Sequence, residues 1–266
     1  MAINDHGFLG KDIEIFKKEI YEKYNELFEF YREVNHFLQI LKFKLQAIES
    51  EDRKIAIITQ FVKALETFQS VYIVCSYGLT IDAEVLNRAL YETTVKISYC
   101  SKGEDNHKRY LATELRNRIK SINIIKNNPK VYARDIFRID ELDSRKSLFE
   151  EMLNELGNPA PINVGGMAKK GGLGDMYDSF YQVASETVHT APRSLEDYIA
   201  IDEGRKIKVL WGPRSEKIDI QLFAAIEFML FSSQCLSEIF GEPRKEEIIF
   251  LNRRKESIYF KYKERG

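Results

Sequence analysis

The sequence predicts a mainly α-helical bundle with a long N-terminal helical extension and one small β-hairpin. Three observations predict it. Apolar residues recur at intervals of three and four over most of the chain, the mark of amphipathic helices. Alternation with period two is confined to Asp197–Ile201 and Lys206–Trp211, around Asp202-Glu203-Gly204-Arg205. Glycine and proline are absent from the long periodic runs and gather between them. Residues 157–174 alone hold six of the 14 glycines and two of the six prolines.

Taken in order, Lys11–Ile48 carries the stripe Ile13, Phe16, Ile20, Tyr24, Leu27, Tyr31, Val34, Leu38 and Leu41, with Lys17, Lys18, Glu19 and Glu22 opposite. Such a stripe must be covered, either by the domain core or by a second chain. Ser50-Glu51-Asp52 opens a helix over about Arg53–Tyr77, which Gly78 can end in a left-handed cap. Further helices follow over about Ile81–Cys100, Glu104–Lys126 and Arg134–Leu156. The stretch 157–174 reads as a loop with a helical turn over Val164–Lys170. It contains no GxxxxGK[ST] and no strand precedes it, so the phosphate-cradle reading of its glycines fails. A helix then runs from Asp175 to His189, and Thr190-Ala191-Pro192 stops it. Ile218–Phe240 is the last strongly periodic helix, ended by Gly241 and Pro243. The segment Arg244–Gly266 carries eight Lys/Arg against four Asp/Glu, with Phe250, Tyr259, Phe260 and Tyr262 among them. It reads as a solvated basic, aromatic tail. The expected units are residues 1–52, a helical extension; 53–243, the core domain; and 244–266, the tail.

Composition narrows the classes. With 266 residues the chain can bury a sizeable core. Forty basic residues balance 41 acidic ones, which argues against a whole-chain nucleic-acid binder. Cys75, Cys100 and Cys235 lie far apart in apolar helical contexts, as packed thiols do, and a cytoplasmic setting is expected. No signal peptide is expected at the N-terminus and no membrane span anywhere; Ser70–Leu79, the longest apolar candidate, is too short. Single histidines at His6, His36 and His107, with no HExxH and no paired cysteines, give no metal site, and no cofactor is expected.

One constellation stands out. Tyr177, Tyr181, Ser185 and His189 recur at steps of four, which on a helix lines two phenols, a hydroxyl and an imidazole along one face. Glu84, Arg88, Glu92 and Lys96 form a second row at the same step, alternating acid and base on a helix that is otherwise largely apolar. The two rows are expected to converge between packed helices, with Arg88, Glu92 and His189 as catalytic candidates and Tyr177, Tyr181 and Ser185 as ligand contacts. His189 has the chemistry of a general acid or base. It is equally placed to cap its helix as a cation. Replacing it with alanine is expected to cost of order 1 kcal/mol while removing activity. Ser185 lacks a GxSxG elbow, which weighs against a nucleophile.

The helix Arg88-Ala89-Leu90-Tyr91-Glu92, the block Met167–Leu173, the row Tyr177…Tyr181…Ser185…His189 and the stretch Pro192…Leu195-Glu196-Asp197-Tyr198 together resemble a bacterial, all-helical domain-of-unknown-function family over about Phe61–Gly241. The family usually has Pro directly after the His; here Thr190-Ala191 intervene. The resemblance implies an uncharacterised cytoplasmic protein, with links to antiviral defence and a distant relation to HEPN-like ribonucleases. Arg32…His36 is one residue short of the RxxxxH motif of those ribonucleases.

Three functions are therefore expected. The first is a binding or effector protein using the Arg/Glu/Tyr/Ser/His pocket, in phage defence. The second is a metal-independent nuclease. The third is a structural homo-oligomer joined through the N-terminal helix. Partners would be a second copy, another protein or nucleic acid, and no membrane.

Overall fold

The computed structural model describes residues 6–128, 139–189, 192–202 and 204–264. The expected helix start at Arg134, the stop at Thr190-Ala191 and Glu203 of the hairpin turn lie outside them. The chain is mainly helical, with one two-stranded hairpin, as its periodicities predict.

Helix α3 (Thr80–Lys102) is the centre of the bundle. Helices α2 (Asp52–Ser76), α4 (Asn106–Asn127), α6 (Val164–Gly171), α8 (Gln182–Val188) and α9 (Ile218–Ile239) all pack on it. That explains why α3 is apolar on most sides: Leu90, Tyr91, Val95, Ile97 and Tyr99 have no exposed surface. Its polar positions then have to find partners inside the protein. Thr94 Oγ1 donates to the carbonyl of Phe228, and Asn87 Nδ2 donates to the backbone carbonyl and side-chain oxygen of Gln221, both on α9.

Helix α1 (Ile13–Leu41) buries its expected stripe within this chain. Leu27, Phe28, Phe30, Val34, Leu38 and Leu41 are fully covered as α1 lies across α2, α9 and the final helix. Each such side chain contributes about 1.5–3 kcal/mol by leaving water. Helix α5 (Ile139–Glu155) packs on α4, joined by the Lys126–Asp143 ion pair.

Two expectations change. The segment after Arg244 is helix α10 (Lys245–Lys263), packed on α9 and α1 with Ile248, Leu251 and Ile258 buried. Its apolar residues at 248, 251 and 258 are three to seven apart, a stripe that the excess of basic residues obscured. Three of its cations face acids of the bundle: Lys261 pairs with Glu26 and Arg254 with Glu33, each at 2.5 Å, and Lys255 with Glu227. The second change concerns α9. By length and composition it is apolar enough to cross a membrane, though 67% of its most apolar window is buried inside the bundle. The most apolar stretch is thus α9 rather than Ser70–Leu79, and its apolar side chains supply the core's middle.

Strands β1 (Ile199–Ile201) and β2 (Ile207–Val209) pair antiparallel, with Ile199 opposite Val209 and Ile201 opposite Ile207. Alternation foretold this hairpin. Its base is held to the body by the Lys217–Asp197 ion pair at 2.8 Å and by Arg214 lying over the Tyr198 ring.

Candidate functional site

The segment preceding α8 is irregular for a reason visible in its neighbours. A short turn, α7 (Gly174–Met176), leads into one π-helical turn over Tyr177–Tyr181 and then into α8. Single π turns often mark functional positions because they re-aim side chains. Here the turn stacks the Tyr177 and Tyr181 rings 4.9 Å apart and nearly parallel, at 18°. Tyr177 also lies against α6: a Cβ on Gly165 would fall 2.9 Å from its ring, so the glycine is what lets helix and ring approach. The glycines of 157–174 thus serve close packing as well as turning.

Tyr181 meets α3. Its hydroxyl donates to Glu92 Oε1 at 2.9 Å and accepts from Arg88 Nη2 at 3.0 Å; Arg88 and Glu92 are themselves 3.3 Å apart. The guanidinium also lies over the Tyr181 ring, 5.0 Å from its centre. The Arg88 and Glu92 side chains keep only 17% and 28% of their surface, so this closed three-membered network is largely withdrawn from water. Burial pushes the Tyr181 phenol up; the Arg88 bond opposes that shift and the Glu92 bond adds to it, so the phenol stays protonated and donates. Arg88 Nε is buried with no hydrogen-bond partner among the described residues. One turn earlier on α3, Glu84 accepts from Thr187 Oγ1 of α8 at 2.9 Å. One turn later, Lys96 reaches the Tyr110 ring of α4. The alternating row on α3 therefore faces other helices along its length.

The second row behaves differently. Tyr177 and Tyr181 join the site, but Ser185 is half-buried off to one side and His189 is exposed. Helix geometry gives the reason. Residues advance about 100° each, so a step of four overshoots a full turn by about 40°. The face of α8 that meets α3 is centred on buried Ala184, midway between Tyr181 and Thr187. From that centre Ser185 lies about 100° away and His189 about 140° away. The convergence expected of all five residues is thus limited to Arg88, Glu92 and Tyr181, with Tyr177 stacked behind. Thr187 was missed because it lies six residues beyond Tyr181, off any four-residue row. Replacing His189 with alanine should cost of order 1 kcal/mol in urea unfolding. A loss above about 1.5 kcal/mol would show that the imidazole makes a strongly stabilising contact.

Beside the network, between α8, the turn Pro192–Tyr198, α3 and the start of α9, lies a cleft of about 440 Å³. Among the described residues, Glu84, Glu186, Glu196 and Asp197 line it together with one cation, Lys217, which is paired with Asp197. Phe180 of the π turn forms part of its wall.

Other candidates fall away. Arg32 on α1 is bonded to Tyr72 Oη at 2.7 Å, Glu29 at 2.8 Å and Tyr21 at 3.3 Å, while His36 is exposed. The three cysteines are buried, and burial raises their thiols, Cys100 to about 12, which leaves them unreactive. His107 is buried and its pKa is lowered by that burial. Among the described residues no group of three His, Cys, Asp or Glu could hold a metal ion.

Comparison with known proteins finds one family. No curated protein and no solved structure matches the chain. The match, to a family of unknown function designated DUF5677, spans residues 54–207, which run from α2 into β2 and contain Glu84, Arg88, Glu92, Tyr177, Tyr181 and Thr187. It covers more than half of the sequence and bears out, at the level of a helical domain of unknown function, the resemblance drawn from the residues. This chain belongs to the DUF5677 family.

Proposed function

We propose that the protein is a helical binding domain that takes a small organic cation, such as an amine or guanidine, into the cleft beside Tyr181. The observation that carries this reading is the charge of the cleft: among its described lining residues, four carboxylates to one ammonium, in a volume typical of small-molecule sites. A cation entering it gains Coulombic attraction that a water-lined surface would screen. Arg88 Nη2, Glu92 and Tyr181 Oη bond to one another, so the network acts as a wall that fixes α8, and with it Thr187 and Glu84, against α3.

The same charges weigh against the nuclease reading. A phosphodiester substrate needs accessible cations. Here Arg88 is neutralised by Glu92, and Arg254, Lys255 and Lys261 of α10 face acids of the bundle. His189 receives no role in this reading. The defence effector expected from the family resemblance is its cellular counterpart: where the wild type protects cells from phage, loss of the ligand should remove that protection.

Isothermal titration and thermal shift with putrescine, spermidine and agmatine test the proposal, with an oligoribonucleotide as the anionic control. At least one amine should bind saturably, and the double variant Glu84→Gln/Glu196→Gln should weaken it by at least about tenfold, the value of one lost charge-assisted contact. Failure of every amine to bind would overturn the reading, and so would binding or cleavage of the oligoribonucleotide.

A further inference from the structure

Gln221, in the first turn of α9, keeps 5% of its surface and lines the acidic cleft. Its side-chain orientation is dictated by Asn87 of α3, which has no exposed surface. The backbone carbonyl of Gln221 can only accept, so the end of Asn87 that meets it at 2.9 Å is the amide NH2. The same Nδ2 lies 2.8 Å from the Gln221 side chain, so the atom it meets there is the acceptor, Oε1. Nε2 is left as the outer atom of the amide. Among the described residues Nε2 has no hydrogen-bond partner, yet it is not sealed from solvent as Asn87 Oδ1 is, so it belongs to the accessible part of the side chain. Asn87 Oδ1 is itself buried with no hydrogen-bond partner among the described residues. An unpaired buried oxygen is destabilising, and a leucine at 87 would not carry it. Both hydrogen bonds that Asn87 donates go to Gln221, so what the asparagine maintains is the direction of one amide.

We infer that Gln221 selects amines that also carry a carbonyl: the ligand of the cleft is a monocation with an amide or acyl group, such as an N-acylated diamine, whose oxygen accepts from Nε2. This rests on the reading that the cleft takes an organic cation. Protonated putrescine, spermidine and agmatine present donors at every polar end, so each would cover Nε2 without pairing it, and an unpaired covered donor weakens binding. An acylated amine suits the whole lining. Its ammonium meets the carboxylates, its oxygen meets Nε2, and its acyl carbons meet Val183 and Ile220, which line the same cleft. Gln221 then contacts the ligand, and Asn87 is a positioning residue that acts through it.

Titration calorimetry with N-acetylputrescine and n-heptylamine tests this, because the two have the same charge and chain length and only the first has an acceptor. Gln221→Leu should lower the affinity of N-acetylputrescine relative to n-heptylamine by about fivefold or more, as expected for one neutral hydrogen bond. Asn87→Leu should lower the same ratio with unchanged circular dichroism, which the loss of a merely structural contact would not do. In 15N-labelled wild-type protein the side-chain NH2 signals of Gln221 should move with N-acetylputrescine and stay in place with n-heptylamine. An unchanged ratio in either folded variant overturns the inference, as do Gln221 signals that ignore the acyl ligand; binding of both amines then leaves the cation site standing. If neither amine binds, as in a cleft filled by the chain itself, the inference and the proposed function fall together. Should a variant lose its fold, the labelled wild-type protein decides by itself.

Discussion

Gly78→Ala should destabilise the protein by about 3 kcal/mol, roughly 9 °C in Tm for a chain of this size. Gly78 joins α2 to α3 with φ +72°, a left-handed conformation that costs an L-residue about 1–2 kcal/mol. An added Cβ would also lie 2.8 Å from the backbone oxygen of Arg214 and 2.8 Å from Pro213 Cβ. The ring of Phe16 could turn away, but the Arg214 backbone cannot, because its N–H donates to the Gly78 carbonyl at 3.0 Å. Overpacking of this kind adds about 1–3 kcal/mol. Gly172→Ala is the control. Its φ is +81° but nothing lies within 4 Å of an added Cβ, so it should cost only the conformational part. Calorimetry on both variants separates the two contributions. Equal losses would show that the close approach of α1, the α2–α3 turn and the post-hairpin segment is not what constrains Gly78.

Arg88→Ala should cost about 2 kcal/mol, while Arg88→Met/Glu92→Leu should come within about 1 kcal/mol of wild type. The single change removes the cation that Glu92 and Tyr181 Oη share, leaving a carboxylate with 28% of its surface to find water. The double change removes both charges and returns apolar volume to a site flanked by the aromatic rings of Tyr91 and Tyr177. Desolvating an ion pair offsets most of its attraction, so the pair contributes orientation more than stability. Urea unfolding of the two variants tests this. A single variant as stable as wild type would mean that the network carries no energy. A double variant worse than the single would mean that the bundle needs the charges themselves. The cleft supplies a second readout: if the network positions α8, the double variant should fold normally yet hold the amine more weakly, as Thr187 and Glu84 drift apart.

Much of the fold was legible because helix formation is a local matter of spacing and punctuation. The long helices start and stop within a few residues of the positions set by Ser50-Glu51-Asp52, Gly78, Gly103 and Gly241, and alternation at 199–201 and 207–209 located the hairpin. The Arg88–Glu92 pair was legible too, because two charges on a helix with almost no polar face have nowhere to go but inward. What spacing could not supply was anything set by a neighbour. The basic residues of α10 looked solvated until Glu26, Glu33 and Glu227 were brought opposite them from two other helices. The acidic cleft gathers carboxylates from residues 84 to 197, and no local spacing shows that they meet.

The row that ends at His189 divides the two kinds of knowledge. Sequence determined that Tyr177, Tyr181, Ser185 and His189 recur at fours, that Arg88 and Glu92 do the same, and that both sets lie on helices. Only the tertiary structure decided which of them meet. A recurrence in sequence fixes angles about one helix axis, and those angles drift by about 40° at each step of four. Which arc faces the partner depends on the π turn at Tyr177–Tyr181 and on where α3 lies, with Ala184 rather than Ser185 at the contact. Those are set by packing between segments some ninety residues apart, and no local pattern carries them.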